Sequence, residues 1–118
     1  MEKFMLLFRG GENHASNAQE SQAAAENMQA WAKWMGDLVQ KGILVGAEPL
    51  QPTGKQVIGK SKMVTDGAYV EAQETVGGYL IVNAKDINDA VEISKGCPIF
   101  TENGKVEIRP IQKMEMPS

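Results

Sequence analysis

Two segments of this chain carry large apolar residues on both faces of an extended strand, and that doubling constrains the fold more than any other feature of the sequence. Residues 3–9 (KFMLLFR) place Phe4, Leu6 and Phe8 on one side and Met5 and Leu7 on the other, because successive side chains of a strand alternate. Residues 77–83 (GGYLIVN) place Leu80 and Val82 on one side and Tyr79 and Ile81 on the other. A sheet with one solvated face shows apolar residues alternating with polar ones. These two strands do not alternate, so both faces of their sheet must be covered.

The rest of the chain supplies cover for one face. Ser16 and Asn17 each precede Gln or Glu by three residues (Gln19, Glu20), the reciprocal capping pattern. The spacing predicts a helix from there to about Lys41, with a stripe of Ala24, Met28, Trp31, Met35 and Leu38, Trp34 on its flank, and Gly42 as the stop. Residues 43–47 (ILVGA) read as a second strand, followed by turn-rich Pro49 to Gly54. A two-stranded ribbon, Gln56 to Gly59 and Lys62 to Thr65, ends in Asp66-Gly67, and a polar link runs from Glu71 to Thr75. Asp86 caps a second helix with Asp89 in its first turn, where the helix dipole favours an anion. Its stripe is Ile87, Ala90, Val91 and Ser94, and Gly96-Cys97-Pro98 ends it. Residues 105–112 (KVEIRPIQ) alternate as a half-buried last strand, Val106 and Ile108 against Glu107 and Arg109.

The order is strand, long helix, strand, ribbon, strand, short helix, strand, with no repeat or linker dividing residues 1–118. The expected fold class is α+β: a ferredoxin-like βαββαβ domain with an antiparallel sheet and an extra β-ribbon. Two helices cover only one side of such a sheet. A second copy packed on the other side across a two-fold axis is the simplest cover, so the chain is expected to be a homodimer through its open sheet face.

Composition removes several classes of function. A net charge of −3 and a pI near 5.2 argue against a nucleic-acid partner, which needs clustered Lys and Arg. An RNA-recognition sheet shares this strand order, but it interleaves aromatic with basic residues and this one does not. One Cys and one His permit neither an internal disulfide nor a zinc site. The apolar run Phe4 to Phe8 is too short for a membrane span or a signal core. Gly77-Gly78 opens no helix, so it is no phosphate loop; it reads as a close backbone approach or a kink. A cytoplasmic protein with no cofactor and no membrane partner is the expectation left.

With the elements in place, four stretches resemble one family in the right order: KFMLLFRG, WAKWMGDLVQKGILVGAEPLQP, DGAYVEAQETVGGYLIV and CPIFTENGKVEIRPI. They resemble the YCII-related proteins, in particular the branch marked by an Asp-Gly-Pro-Phe (DGPF) motif. The resemblance implies a ferredoxin-like domain that dimerises sheet to sheet into a dimeric α+β barrel. Here the motif reads Asp66-Gly67-Ala68-Tyr69. In other branches a His at the start of the first long helix pairs with an Asp as acid–base machinery. This chain carries Ala30 and Trp31 in that region and has His14 upstream in a loop, so no such dyad carries over.

The resemblance places Asp66 near the cleft between sheet and helix, where a desolvated carboxylate would take a proton from a substrate. Read as Asp-Gly alone, it is a turn. Arg9 and Arg109 end apolar strands that neighbour each other in this fold, and would converge on an anionic ligand. Alternatively they form salt bridges with Glu107, Glu71 or Glu74. Trp31 and Trp34 line an aromatic pocket or are simply core, and Tyr79 presents its hydroxyl to a cleft or to water. Cys97, at a helix end, reads as a buried packing residue. The expected function is binding of a small organic acid or small aromatic compound between sheet and helices, with or without cofactor-free catalysis. The alternative is a non-catalytic accessory module acting through a protein partner such as a transcription factor, since members of the family resemble proteins found alongside alternative sigma factors.

Overall fold

A computed structural model describes residues 1–10, 22–51, 53–66 and 75–114 of the chain. The elements run β1 (Glu2–Arg9), α1 (Gln22–Gln40), β2 (Leu44–Pro49), β3 (Gln56–Ile58), β4 (Met63–Thr65), β5 (Val76–Ala84), α2 (Ile87–Ser94), a 3-10 helix (Pro98–Glu102) and β6 (Lys105–Pro110). The main sheet has four strands in the order β2-β5-β1-β6, every neighbouring pair antiparallel. This is the ferredoxin-like arrangement expected from the sequence, with β3 and β4 as a separate two-stranded ribbon.

The doubled apolar pattern sets the sheet's centre. β1 and β5 pair side by side, Phe4 opposite Val82 and Leu6 opposite Leu80 on one face. Phe4, Leu6, Phe8, Leu80, Val82 and Ala84 are buried there, with Trp34 and Leu38 of α1 and Ala90 of α2 packed over them. On the other face Met5 stands opposite Ile81 and Leu7 opposite Tyr79, all only half-buried. No described element covers that face. β6 adds Val106 and Ile108 to the core side and Glu107 and Arg109 to the open side.

The end of α1 is built as the sequence dictates. Gly42 adopts φ +73°, and its N–H donates to the Val39 carbonyl at 3.0 Å while the Ile43 N–H reaches the Leu38 carbonyl at 2.9 Å. These are the two bonds of a Schellman stop, and they satisfy carbonyls that the helix leaves unpaired. Its start, with the expected caps Ser16 and Asn17, lies outside the described residues. The buried stripe is corrected by one position: Trp31, Trp34, Met35 and Leu38 face the core, while Met28 is 72% exposed. An i, i+3, i+4, i+7 arc centred between Trp34 and Trp31 leaves Met28 on its margin.

A similar correction applies to α2. Asp86 caps it, accepting from the Asp89 N–H at 2.9 Å, and Asp89 reaches back to the Lys85 N–H at 3.0 Å. Yet Ile87 is 43% exposed, and Ile93 takes its place against the core beside Ala90 and Ser94. The expected second strand is also displaced, from 43–47 to Leu44–Pro49, because a register irregularity between Leu44 and Gly46 swings the chain and allows Ala47 to face inward again. The segment after Cys97, to which the sequence reading assigned no element, closes into the 3-10 helix.

Candidate functional site

A cavity of about 370 Å3 opens between α1 and one end of the sheet. Its floor is short of side chains. Gly10, Ala47, Gly77 and Gly78 line it together with Phe8 and Leu80. The glycine pair has two separate reasons to be there. A Cβ on Gly78 would stand 2.9 Å from the Glu48 carbonyl oxygen and 3.1 Å from Pro49 Cα, so only glycine allows β2 to pair at that point. Gly77 falls in the slip of register between β1 and β5, where Phe8 faces Gly78 and Arg9 faces Val76. The Gly77 carbonyl, freed from the ladder, accepts from the Leu50 N–H at 2.9 Å. Both the close approach and the kink read from the sequence are therefore present, one at each glycine.

One wall comes from α1. Asn27, Trp31 and Met35 recur every four residues on one helical face and all line the cavity. Trp31 meets Phe8 edge to face, ring centroids 5.3 Å apart at 87°, and Trp34 stands behind both at 5.9 Å from Trp31 and 6.4 Å from Phe8. Edge-to-face packing fixes the Trp31 ring without covering it.

The opposite wall is the 3-10 helix, through Ile99 and Glu102. Sequence reading missed it, although its signals were present: Pro98 at the first position and Asn103-Gly104 as the stop. The Cys97 Sγ accepts from the Ile99 N–H at 3.5 Å, Thr101 Oγ1 donates to the Pro98 carbonyl at 2.8 Å, and Asn103 turns left-handed at φ 61°. Gly104 donates to the Ile99 carbonyl at 3.0 Å and lets Ile99 lie directly against its α-carbon. The Cys97 thiol is buried and its pKa is pushed up to about 12, chiefly by desolvation, with the Glu102 charge adding to it and the Ile99 N–H opposing. It is a packing residue, as expected.

Charge in the cavity is one-sided. The chain's 12 Lys and Arg residues all lie within the described residues, and none of them lines it. Among the described residues, Glu48, Glu102, Tyr79 and Asn27 border it, but Glu48 and Tyr79 stand opposite each other in the β2–β5 ladder, on the face of the sheet away from Ala47 and Leu80. Glu48 is exposed, with no ion pair among the described residues. Among the described residues no group of His, Cys, Asp or Glu is placed to hold a metal ion.

The residues singled out from the sequence fall in three places. Tyr79 lines the cavity. Trp34 is buried behind it, and its indole edge lies where a Cβ on Gly96 would come within 2.9 Å. Asp66 lies outside the cavity, exposed at the foot of the ribbon, where it accepts from Lys55 Nζ at 3.0 Å; Gly67 to Tyr69 lie outside the described residues. Arg9 and Arg109 do converge, but on the chain's own Glu107: Arg9 Nε is 3.1 Å and Arg109 Nη1 3.9 Å from its carboxylate, on the open sheet face. Glu48, Glu102 and Asn27 were not found from the sequence. They sit in a helix, a strand end and an unrecognised 3-10 turn, with no spacing that links them.

Comparison with known proteins adds two findings. The chain matches a solved structure, 5-chloro-2-hydroxyhydroquinone dehydrochlorinase (TftG) from Burkholderia phenoliruptrix AC1100 in complex with 2,5-dihydroxybenzoquinone, with a TM-score of 0.51 at 14% identity over 92% of this chain and 93% of that one. At that identity the likeness is one of fold. No curated protein matches the sequence. The model of the YCII-related domain matches residues 3–115, nearly the whole length over which β1 to β6 build the sheet, and the chain therefore belongs to the YCII-related family.

Proposed function

We propose that this protein binds a small aromatic compound in the cavity between α1 and the sheet, and that it works as a homodimer closed through its open sheet face. The observation that carries the first part is the lining itself. Phe8, Trp31, Met35, Leu80 and Ile99 make an apolar slot with a fixed aromatic edge and few polar groups, the make-up of a small-ligand site. An anionic organic acid would need a cationic partner there, and no Lys or Arg lines it. Between the organic acid and the aromatic compound that the sequence left open, the lining favours the aromatic. TftG, in complex with 2,5-dihydroxybenzoquinone, is a protein of this fold with a small cyclic ligand.

The dimer rests on Met5, Leu7, Tyr79 and Ile81, which remain half-buried at the centre of the open face with the Arg9–Glu107 pair beside them. A two-fold axis through that patch would set apolar centre on apolar centre. Tyr79 belongs to β5 and lines the cavity, so pairing and binding would share a strand.

Intrinsic Trp31 fluorescence and thermal shift report binding directly. Titration of the wild-type protein with phenols and other small benzene derivatives should give a saturable change, and Trp31→Ala should abolish it while leaving the far-UV spectrum intact. No saturation with any ring compound removes the cavity from consideration and turns attention to a protein partner. Sedimentation of wild type against Ile81→Glu tests the dimer: a wild-type monomer at micromolar concentration refutes it.

A further inference from the structure

We infer that the two copies of the homodimer stack with the two-fold axis along their strands, β2 of each copy over β6 of the other, so that Glu48 of one copy pairs with Arg109 of the partner subunit on each side of the apolar centre. The inference rests on the homodimer reading above and adds the orientation of the two sheets to it. What carries it is the division of charge across the open face.

Side chains alternate along a strand, so the ladders assign each strand residue to one face of the sheet. The β2–β5 half of the open face carries a single charge, Glu48, opposite Tyr79. The β1–β6 half carries Lys3, Arg9, Lys105, Glu107 and Arg109 on the same side as Met5 and Leu7, four bases against one acid. Glu107 is already shared between Arg9 Nε at 3.1 Å and Arg109 Nη1 at 3.9 Å. At that distance the Arg109 side chain is still 67% exposed, and its guanidinium fork keeps N–H donors for a second carboxylate. Glu48 is exposed and has no ion pair among the described residues.

A two-fold axis lying between two stacked sheets runs either across the strands or along them. Across the strands, it sets β2 on β2 and β6 on β6, which brings the basic half of one copy against the basic half of the other. Like charges apposed in an interface oppose association. Along the strands, it reverses the strand order, so β5 lies over β1 and β2 over β6. Tyr79 and Ile81 then meet Leu7 and Met5 of the partner subunit, and the acidic margin of each copy covers the basic margin of the other. Stacked sheets lie about 10 Å apart, a gap that a Glu and an Arg reaching from opposite sides span together. Two-fold symmetry makes every such contact twice.

Charge reversal tests this orientation. Glu48→Arg and Arg109→Glu, each checked for an unchanged circular dichroism spectrum, should raise the dimer dissociation constant by roughly tenfold or more in sedimentation at low salt. An equimolar mixture of the two variants should recover near wild-type association, because both ion pairs re-form, reversed, in the heterodimer, and native mass spectrometry identifies that species. Where a reversal disturbs the spectrum, Glu48→Gln and Arg109→Gln replace it: each weakens the dimer, and the two combined in one chain cost less than their sum. Reversed variants that associate as tightly as wild type, a mixture no tighter than its components, or additive Gln variants overturn the inference while leaving the homodimer in place. A wild-type monomer at micromolar concentration overturns both and leaves the open face to a different partner.

Discussion

The contact between Gly104 and Ile99 allows a sharp test of how the site is built. Gly104 begins the turn into β6, and its φ lies outside the left-handed region, so the constraint on it is steric alone. A methyl group built on it would overlap Ile99 Cγ1, stand 2.7 Å from Ile99 Cδ1 and 3.1 Å from the Arg9 carbonyl oxygen. Ile99 is 5% exposed and wedged in the core, so it has little room to retreat except into the cavity that it lines. Overpacking of this kind costs about 1–3 kcal/mol. Gly104→Ala should therefore lower the urea midpoint at unchanged m-value, with a melting temperature down by roughly 3–6 °C per kcal/mol for a domain of this size. Ile99→Ala alone leaves a hole and costs about 2–4 kcal/mol. The double variant places the new methyl in that hole, so its loss should fall short of the sum of the singles by about 1–2 kcal/mol. Urea denaturation of the four proteins measures this cycle. Additivity within about 0.5 kcal/mol, or a neutral Gly104→Ala, refutes the packing argument.

Other parts of the structure carry their own tests. Leu6, fully buried at the centre of the sheet, should lose about 3–5 kcal/mol on Leu6→Ala, whereas Met28→Ala on the exposed margin of α1 should stay within about 0.5 kcal/mol. Chemical denaturation distinguishes the two, and a costly Met28→Ala would restore the stripe expected from sequence. The Cys97 thiol should resist alkylation in the native protein at mildly alkaline pH and react only on unfolding, because burial holds it protonated. Its folded pKa of about 12 lies above the 9.0 of a free thiol, so the stability it contributes is full below the latter and is lost as pH rises toward the former. Cys97→Ala should accordingly flatten the alkaline limb of a stability–pH curve, and an unchanged limb would argue that the thiol is accessible. Glu107→Gln should cost no more than about 1 kcal/mol in a monomer, given the exposure of its carboxylate. A larger loss that grows on dilution would place the Arg9–Glu107 pair inside an interface.

The fold was readable because its strongest determinants are local and periodic. The doubled strands at 3–9 and 77–83, the left-handed Gly42 and the Asp86 cap each fix backbone geometry within a few residues, and together they leave one strand order. The errors came where periodicity is blind to rotation. Met28 and Ile87 sit at plausible helical spacings, but the sheet meets each helix along a line one step away. The site was far less legible. Its floor is made by the absence of side chains at Gly77, Gly78 and Ala47, and its acids lie more than fifty residues apart on unrelated elements. Arg9 and Arg109 were correctly placed on neighbouring strands, yet the residue that satisfies them, Glu107, lies two positions from Arg109 on the same face, which alternation alone made visible.

The two outer strands of the sheet have a consequence for how this molecule associates. β2 is interrupted near Gly46 and ends on Pro49, and β6 begins at Lys105 and ends on Pro110. Each is six residues long, and a proline at the end of each removes one of the N–H groups on which a further strand would grow. Lateral extension, the route by which sheets zip into ribbons and fibrils, is thus disfavoured at both margins. The apolar surface of Met5, Leu7 and Ile81 faces perpendicular to those margins. In the proposed homodimer a second copy would stack on that plane, and the blunt sides would leave no edge for a third to extend the sheet.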